Sequence, residues 1–305
     1  MKYTPPADAE YLHYGYCKTI DTIPMTPDGK PTPALLTKTA LESASIPHLT
    51  INAGSKITPQ LPFMETGLPF GKNISVESAM TDSEVSTAVE YGRIVGRNMA
   101  SLTDCLVIGE SIPGGTTTAL AVLRAFDFDA KTSSSIPTNP IKLKNEIVDS
   151  ALKRIDSDHP YSVLAKVGDP MIAFVAGMLS SASAVSKVML AGGTQMTAVL
   201  AFASKIGFNE ENTAIGTTSY ITNDQNANFT NVVKQIADIP AISVNPGLNN
   251  SKYSGLKAFS EGFGKEGAGA GGSIISSMLK TGNNSAKFLN LAEQEYDRLT
   301  TLSGT

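Results

Sequence analysis

Cys105-Leu-Val-Ile-Gly-Glu-Ser-Ile-Pro-Gly-Gly-Thr-Thr-Thr118 decides the fold, because a short apolar run leads through a glycine-rich turn into a predicted helix over 116–126. The same order recurs along residues 187–205, and weaker copies begin at Ala214 and Ala241. Strands that alternate with helices are typical of a parallel sheet with helices on both faces. The sequence therefore predicts an α/β fold whose ligands bind beyond the carboxyl ends of the strands, where the glycine turns lie.

Elements outside this repeat are predicted from periodicity, caps and prolines. Residues 1–33 contain many prolines, which interrupt helices, so no helix is expected before residue 34. The other predictions are a helix over 34–44, a strand over 48–53, a helix from the Thr81–Glu84 capping box to Met99, and helices over 144–155, from Met171, over 274–279 and over 285–302. We expect the last of these helices to pack away from the sheet, on the N-terminal segment.

Composition excludes several classes of function for this chain of 305 residues. Apolar residues make up 41% and charged residues 17%, which suffices for a core and is too little charge for a disordered chain. The 24 Lys and Arg residues do not exceed the 28 Asp and Glu residues, so no surplus of cations faces nucleic acid or an anionic membrane. Neither is expected as a partner.

Cysteines, histidines and apolar stretches indicate a cytoplasmic protein without a metal. The two cysteines and three histidines are too scattered for a zinc site. Cys105 lies in an apolar run and is expected to be buried and reduced. The N-terminus lacks the apolar segment of a signal peptide, and Lys187 interrupts the long weakly charged stretch over 171–204, which disfavours a membrane span.

The turn after Ile108 is the first candidate ligand site. Its glycine spacing is close to that of a P-loop, but Gly115 stands where the P-loop lysine would be. Free backbone N–H groups and three threonine hydroxyls remain at a helix start, which suits one phosphate group better than ATP hydrolysis. The alternative is an ordinary strand-to-helix turn capped by threonine.

The second candidate is Lys265-Glu-Gly-Ala-Gly-Ala-Gly-Gly272, in which a carboxylate precedes six Gly or Ala residues. Small side chains let a ligand approach the backbone closely, whereas the alternative, a flexible linker, is usually more polar. Lys144 is either an anion ligand or an ordinary surface lysine. Asp169 is expected to cap a helix, and Met189 and Met196 are expected in the core. Motifs for serine hydrolysis and hydride transfer are not found.

Four motifs occur together in one order: Gly109–Ala119, Gly168-Asp-Pro170, Leu190–Met196 and Lys265–Gly272. Together they resemble the archaeal branch of the nicotinate-nucleotide–dimethylbenzimidazole phosphoribosyltransferase family, over essentially the whole chain. The resemblance implies a Rossmann-like, mostly parallel sheet in a domain over 48–280, a small mainly helical domain from 1–47 with 281–305, and a homodimer. Family members typically begin with an opening strand upstream of Lys2, so we expect this chain to lack that strand.

The resemblance also implies a reaction. Phosphoribose would move from nicotinate mononucleotide to a benzimidazole-type base, without a cofactor, giving nicotinate and α-ribazole phosphate for the lower ligand of cobalamin. Glu266 matches the family's general base, and Lys144 its phosphate-side lysine. Further contacts to phosphate and ribose are expected from the glycine turns: Glu110, Ser111, Gly114, Gly115, Thr116, Thr117, Gly192, Gly193, Thr194, Gly267 and Gly269.

This chemistry needs few groups. A pyridinium leaving group departs as a neutral aromatic nitrogen, so it requires no acid, unlike the alkoxide released by a glycosidase. One carboxylate suffices to accept the N–H proton of the incoming base while its other nitrogen attacks C1′. For the pKa of Glu266, a nearby helix start acts downward and dry surroundings act upward, and the sequence does not decide between them.

One residue departs from the family pattern. Ala191 stands where the better-known bacterial members carry an Asp, and this change leaves the accepted base open. Two alternative functions therefore stay open. One is a nucleotide-binding protein of the same fold with altered catalysis, and the other is a phosphoribosyltransferase or phosphorylase that acts on another base.

Overall fold

The computed structural model describes residues 3–21, 24–26 and 28–302. Its main sheet has parallel strands that lie side by side in chain order: β3 (Cys105–Ile108), β4 (Lys187–Ala191), β5 (Thr213–Thr218) and β6 (Ala241–Val244). A separate parallel pair consists of β1 (Ile51–Asn52) and β2 (Met64–Glu65). Ile108 pairs with Leu190 and Ala191 pairs with Gly216, so the glycine turns after β3 and β4 open at the same edge of the sheet as the end of β5.

Helices connect these strands and pack on the sheet, which confirms the predicted α/β class. The helices are α1 (Thr4–Tyr14), α2 (Ala34–Ser43), α3 (Asp82–Ala100), α4 (Gly115–Ala125), α5 (Ile141–Leu152), α6 (Pro160–Val167), α7 (Pro170–Ala182), α8 (Thr194–Ile206), α9 (Ser219–Thr222), α10 (Phe229–Ile236), α11 (Ser254–Ser260), α12 (Ala270–Thr281) and α13 (Ser285–Leu302), with 3-10 turns at Glu210–Asn212 and Leu248–Asn250. No helix in these described ranges is both long and apolar enough to cross a bilayer.

Glycines let α3 and α7 approach each other closely. A Cβ atom on Gly92 would lie 2.0 Å from the carbonyl oxygen of Phe174, and one on Gly177 would lie 2.3 Å from that of Val89. A side chain does not fit at such distances, so glycine is required where the two backbones meet. This pair packs into the larger hydrophobic core, where Phe174 and Phe202 are almost fully buried.

The terminal segments share a second hydrophobic core. Tyr11, Leu35 and Phe288, from α1, α2 and α13, are almost fully buried in it, and the Tyr11 hydroxyl donates to the Glu295 carboxylate at 2.6 Å. The predicted packing of the C-terminal helix on the N-terminal segment is therefore confirmed. Ile274 of α12 belongs to the same core, while α12 also contacts β4, β5 and β6. The domain boundaries near residues 48 and 280 stay a prediction.

Several local predictions were wrong, for identifiable reasons. Residues before 34 do contain a helix, α1, because Pro5 and Pro6 lie in its first turn, where backbone N–H groups have no helical partner. Cys105 is exposed rather than buried, because it begins β3, which is an edge strand. The strand predicted over 48–53 is only two residues long, and α12 begins within the glycine run rather than at Ile274.

Caps are the most accurate of the local predictions. Thr81 and Glu84 form the predicted capping box at the start of α3, with each side chain accepting from the other's backbone N–H. The Asp169 carboxylate accepts from the Met171 N–H at 2.9 Å at the start of α7, as expected for a helix cap. Both signals lie within four residues of sequence, so no tertiary contact is needed to form them.

Candidate active site

The two glycine-rich turns meet at the carboxyl edge of the sheet. A Cβ atom on Gly109, directly after β3, would lie 3.0 Å from the Cα atom of Gly269. Gly269 has a φ of 74°, which favours glycine, and a Cβ there would lie 3.4 Å from the Cβ of Ala191 at the end of β4. The absence of side chains at these positions lets the loop before α12 lie directly over the ends of β3 and β4.

Glu266 is held at this edge by five hydrogen bonds. Its Oε2 atom accepts from the Thr218 N–H at 2.9 Å, from the Thr217 hydroxyl at 3.1 Å and from the Gly271 N–H at 3.2 Å. Its Oε1 atom accepts from the N–H groups of Gly271 at 3.0 Å and Gly267 at 3.2 Å. The carboxylate therefore joins the end of β5 to the first turn of α12 in one fixed orientation.

Burial decides the pKa of Glu266. Loss of hydration raises that pKa above its ordinary value, and the hydrogen bonds from Gly271, Thr218, Gly267 and Thr217 oppose only part of the shift. The side chain keeps partial contact with solvent, so it remains reachable by a ligand. A raised pKa makes this carboxylate a stronger proton acceptor than an exposed glutamate.

Glu110 lies beside Glu266 and interacts electrostatically with two further carboxyl groups, Asp8 and Asp169. Burial raises the pKa of Glu110 to about 8, and the charges of Glu266, Asp8 and Asp169 act in the same direction. Burial also raises the pKa of Asp8 to about 6 and that of Asp169 to about 6. At neutral pH Glu110 is therefore mostly protonated, and its carboxyl group is available as a hydrogen-bond donor. A Cβ on Gly192 would lie 3.9 Å from its Oε1 atom, which places the turn after β4 alongside it.

Asp8 connects the terminal helices to this edge. The carboxylate, on α1, accepts from the Ser111 hydroxyl at 2.7 Å and from the Thr32 hydroxyl at 2.8 Å. The terminal segment also reaches the other glycine turn, since the Thr37 hydroxyl donates to the Ala268 carbonyl at 2.9 Å. The terminal helices thus cover both glycine turns, and Ser111 contacts Asp8.

A second polar cluster contains two buried lysines. Lys144 and Lys265 are 4% and 6% exposed, so Lys144 is not the surface lysine that was one alternative. The Lys144 ammonium group donates to the Ser133 carbonyl at 2.6 Å, and that of Lys265 donates to the Asp224 carboxylate at 2.6 Å. The N–H of Ser133 donates to the Thr194 hydroxyl at 3.3 Å, which joins this cluster to the turn after β4. Burial, together with the charge of Lys265, lowers the pKa of Lys144 to about 8.

The remaining predicted residues lie at the start of α4. Gly114 caps this helix with a φ of 69°, and Thr116 and Thr117 lie in its first turn, partly exposed. A Cβ on Gly115 would lie 2.5 Å from the Ile112 Cγ1 atom and 2.8 Å from the Gln195 Cγ atom, so this position has no room for a side chain. Gln195 follows Thr194, so the start of α4 adjoins the turn after β4. Met189 and Met196 are buried, as expected.

The sequence analysis did not predict four residues of this site: Asp8, Ser133, Asp224 and Lys265. Of these, Lys265 could have been predicted, because it lies in the glycine-rich motif directly before Glu266. Asp8, Asp224 and Ser133 are far from the glycine turns in sequence, and only folding brings them there. Within the described residues, no three His, Cys, Asp or Glu side chains are arranged to hold a metal ion.

Comparison with known proteins identifies a family for this chain. A family model described as Phosphoribosyltransferase matches residues 51–220. A UPF0284 protein of Archaeoglobus fulgidus is 44% identical over 299 residues, covering 98% of this chain and 86% of that protein. A UPF0284 protein of Sulfurisphaera tokodaii is 42% identical over 302 residues, covering 98% and 86%.

The chain belongs to this phosphoribosyltransferase family. The resemblance inferred from the four motifs, including its archaeal branch, is therefore confirmed. As a member of the family, the chain has the fold of a phosphoribosyltransferase.

Solved structures show the same fold. The nicotinate-nucleotide-dimethylbenzimidazole phosphoribosyltransferase of Thermus thermophilus superposes with a TM-score of 0.60 at 18% identity, covering 84% of this chain and 71% of that one. A structure of CobT from Thermus thermophilus gives a TM-score of 0.60 at 17% identity, covering 93% and 75%. At these identities the likeness extends to the fold alone.

Proposed function

We propose that this phosphoribosyltransferase-family chain moves phosphoribose from nicotinate mononucleotide to a benzimidazole-type base. The observation that carries the proposal is a pair of buried lysines next to Glu266, beside a separate group of carboxyl groups. Lys144 and Lys265 both contact Ser133, whereas Glu110 interacts with Glu266, Asp8 and Asp169. Nicotinate mononucleotide has its net negative charge on the phosphate, which the lysines match, and its pyridinium ring bears a carboxylate to which a protonated carboxyl group is able to donate a hydrogen bond.

Glu266 acts as the general base in this proposal. Hydrogen bonds from both β5 and α12 fix the carboxylate, and a fixed carboxylate is suited to accepting the N–H proton of an incoming base. The attacking nitrogen of that base forms the new bond to C1′ as the bond from C1′ to the pyridinium nitrogen breaks. Nicotinate leaves with the bonding electron pair and without a proton, so no acid is needed.

Nearby carboxylates favour the same step electrostatically. As the pyridinium ring departs, positive charge collects on the ribose ring near C1′, and negative side chains stabilise that charge. Glu110, held mostly protonated by burial that raises its pKa to about 8, is in addition able to donate a hydrogen bond to ribose or nicotinate. The proposal involves no cofactor, and it includes a homodimer, which sedimentation would test.

Ala191 bears on the base that is accepted. A Cβ on Gly272 would lie 2.4 Å from the Ala191 Cβ, so glycine at position 272 lets the start of α12 pack directly on Ala191. The small residue at position 191 therefore lies at a close contact between β4 and α12. This supports a base pocket that differs from the one with Asp at this position.

Incubation of the protein with nicotinate mononucleotide and a panel of bases tests the proposal. We expect release of nicotinate with at least one benzimidazole, together with a product whose mass equals the ribotide of that base. Adenine and hydroxylated benzimidazoles belong in the panel, because the pocket near Ala191 is not of the Asp type. Binding of nicotinate mononucleotide without release of nicotinate for any base would leave a nucleotide-binding protein and remove the transferase proposal.

A further inference from the structure

Lys144 and Lys265 contact the same residue from two sides. The Lys144 ammonium group donates to the Ser133 carbonyl at 2.6 Å, and the Lys265 ammonium group donates to the Ser133 hydroxyl at 3.2 Å. Each lysine is nine-tenths or more buried. Two like charges that converge on one buried serine repel each other, so the cluster favours a negatively charged partner.

Asp224 compensates only part of this charge. Its Oδ2 atom accepts from Lys265 at 2.6 Å and from the Ser133 hydroxyl at 2.5 Å. In the described part of the chain, Asp224 is the carboxylate that pairs with Lys265, and no carboxylate pairs with Lys144, so two positive charges share one negative charge. The donors that Asp224 uses, an ammonium group and a serine hydroxyl, are of the kind that also bind phosphate oxygens.

We propose that Lys265 is a second ligand of the substrate phosphate beside Lys144, and that Asp224 competes with that phosphate for the Lys265 ammonium group. This inference rests on the proposed function, because Lys144 is taken there as the phosphate ligand. It assigns the pocket a dianionic phosphomonoester, and it predicts weak binding of the corresponding nucleoside without phosphate.

Two further observations support a ligand role. The Thr132 hydroxyl, next to Ser133, is buried and has no hydrogen-bond partner among the described residues. Such a group is costly unless a ligand or water satisfies it. Lys265 also directly precedes Glu266, so one short segment would hold the phosphate and carry the general base, which fixes the distance between them.

Opposite effects of two substitutions separate this role from a structural ion pair. If Lys265 and Asp224 were only a structural ion pair, loss of either partner would leave a buried unpaired charge, and both substitutions would weaken phosphate binding. In the proposed role, Lys265→Met removes a ligand, whereas Asp224→Asn removes a competitor and keeps a side chain of the same size. We therefore expect Lys265→Met to weaken phosphate binding and Asp224→Asn to strengthen it.

The test is to measure, by calorimetry, the affinity of each variant for inorganic phosphate, nicotinate mononucleotide and nicotinate riboside. Lys265→Met should weaken both phosphate-containing probes roughly 30-fold and leave the riboside within about twofold, and Lys265→Arg should restore most of the loss. The variant should raise the KM of nicotinate mononucleotide with little change in kcat, because uniform binding energy is lost.

Three results would overturn the inference. They are an equal loss of phosphate affinity in Asp224→Asn, an equal loss of riboside affinity in Lys265→Met, and a fall of kcat at unchanged KM, which would mean that Lys265 only positions Glu266. If Lys265→Met does not fold, Asp224→Asn decides alone. Phosphate binding with this signature but no nicotinate release would refute the proposed function and leave the inference standing, so the two failures are distinguishable.

Discussion

The candidate site combines a carboxylate side and an ammonium side, and the two are built differently. The carboxylate side, with Glu110, Asp8 and Asp169, is assembled from three segments, and burial raises the pKa of each group. The ammonium side, with Lys144 and Lys265, is organised around Ser133, and burial lowers the pKa of Lys144. Low hydration therefore disfavours the charged forms of Glu110, Asp8, Asp169 and Lys144. A negatively charged group of a substrate beside Lys144 would offset that cost.

Substitution of Glu266 should have the largest effect on activity, because Glu266 lies next to both the carboxylate side and the ammonium side. Glu266→Gln keeps the size of the side chain and removes its ability to accept a proton. We expect a loss of turnover of about 10²- to 10⁴-fold, with the affinity for nicotinate mononucleotide nearly unchanged. Release of nicotinate and calorimetry measure the two quantities.

A matched control is Glu261→Gln, which changes an exposed glutamate five positions earlier and should have near-wild-type turnover. Near-wild-type turnover in Glu266→Gln itself would remove this residue from the role of general base.

Lys144 tests the ammonium side. Lys144→Met should weaken nicotinate mononucleotide binding roughly 30-fold, because a buried charge opposite the phosphate is lost. Lys142→Met is the control, since the Lys142 side chain is 93% exposed. The pKa of Lys144 is lowered to about 8, so the affinity of the wild-type protein should fall as pH rises through 8, and that fall should be absent in Lys144→Met. The same pH dependence in both proteins would contradict the assignment.

On the carboxylate side, the ionisation of Glu110 should have a smaller effect, which is on the free energy of unfolding. The folded protein holds the pKa of Glu110 at about 8, against an ordinary value of 4.5, so between these pH values the folded state keeps a proton that the unfolded state releases. Stability from this group is present at low pH and falls by at most about 1.4 kcal/mol per pH unit as pH rises from 4.5 to 8.

Glu110→Gln lacks this ionisation. Between pH 5 and pH 8 the midpoint of thermal unfolding should therefore fall less in the variant than in the wild-type protein, by about 2 to 4 °C per pH unit at most. Calorimetric scans at several pH values measure the difference. Parallel curves for the two proteins would show that Glu110 is ionised throughout.

Much of the fold was predictable because it is specified locally. In β3 and β4 an apolar run is followed by a glycine turn, and the capping box at Thr81 and the stripe of α13 are likewise contained in short segments. In β5, by contrast, Gly216, which was expected to follow the strand, lies inside it. Glu266 was also named from sequence, because a carboxylate before a run of small residues was one of two candidate ligand sites and matched a motif of the family that the chain resembles. The prolines at the start of α1 misled the prediction, because the same residue breaks a helix interior and suits its first turn.

The sequence by itself determined the parallel strands, the glycine turns and the carboxylate of Glu266 at the edge of one of them, because backbone conformation and side-chain size act over a few residues. Only the tertiary structure decided the neighbours of that carboxylate. Asp8 reaches Ser111 across 103 positions and Lys265 reaches Ser133 across 132, and such contacts depend on how whole helices pack. The pKa values of Glu110 and Lys144 follow from the same packing, because hydration and nearby charge are properties of the folded surroundings rather than of the residue.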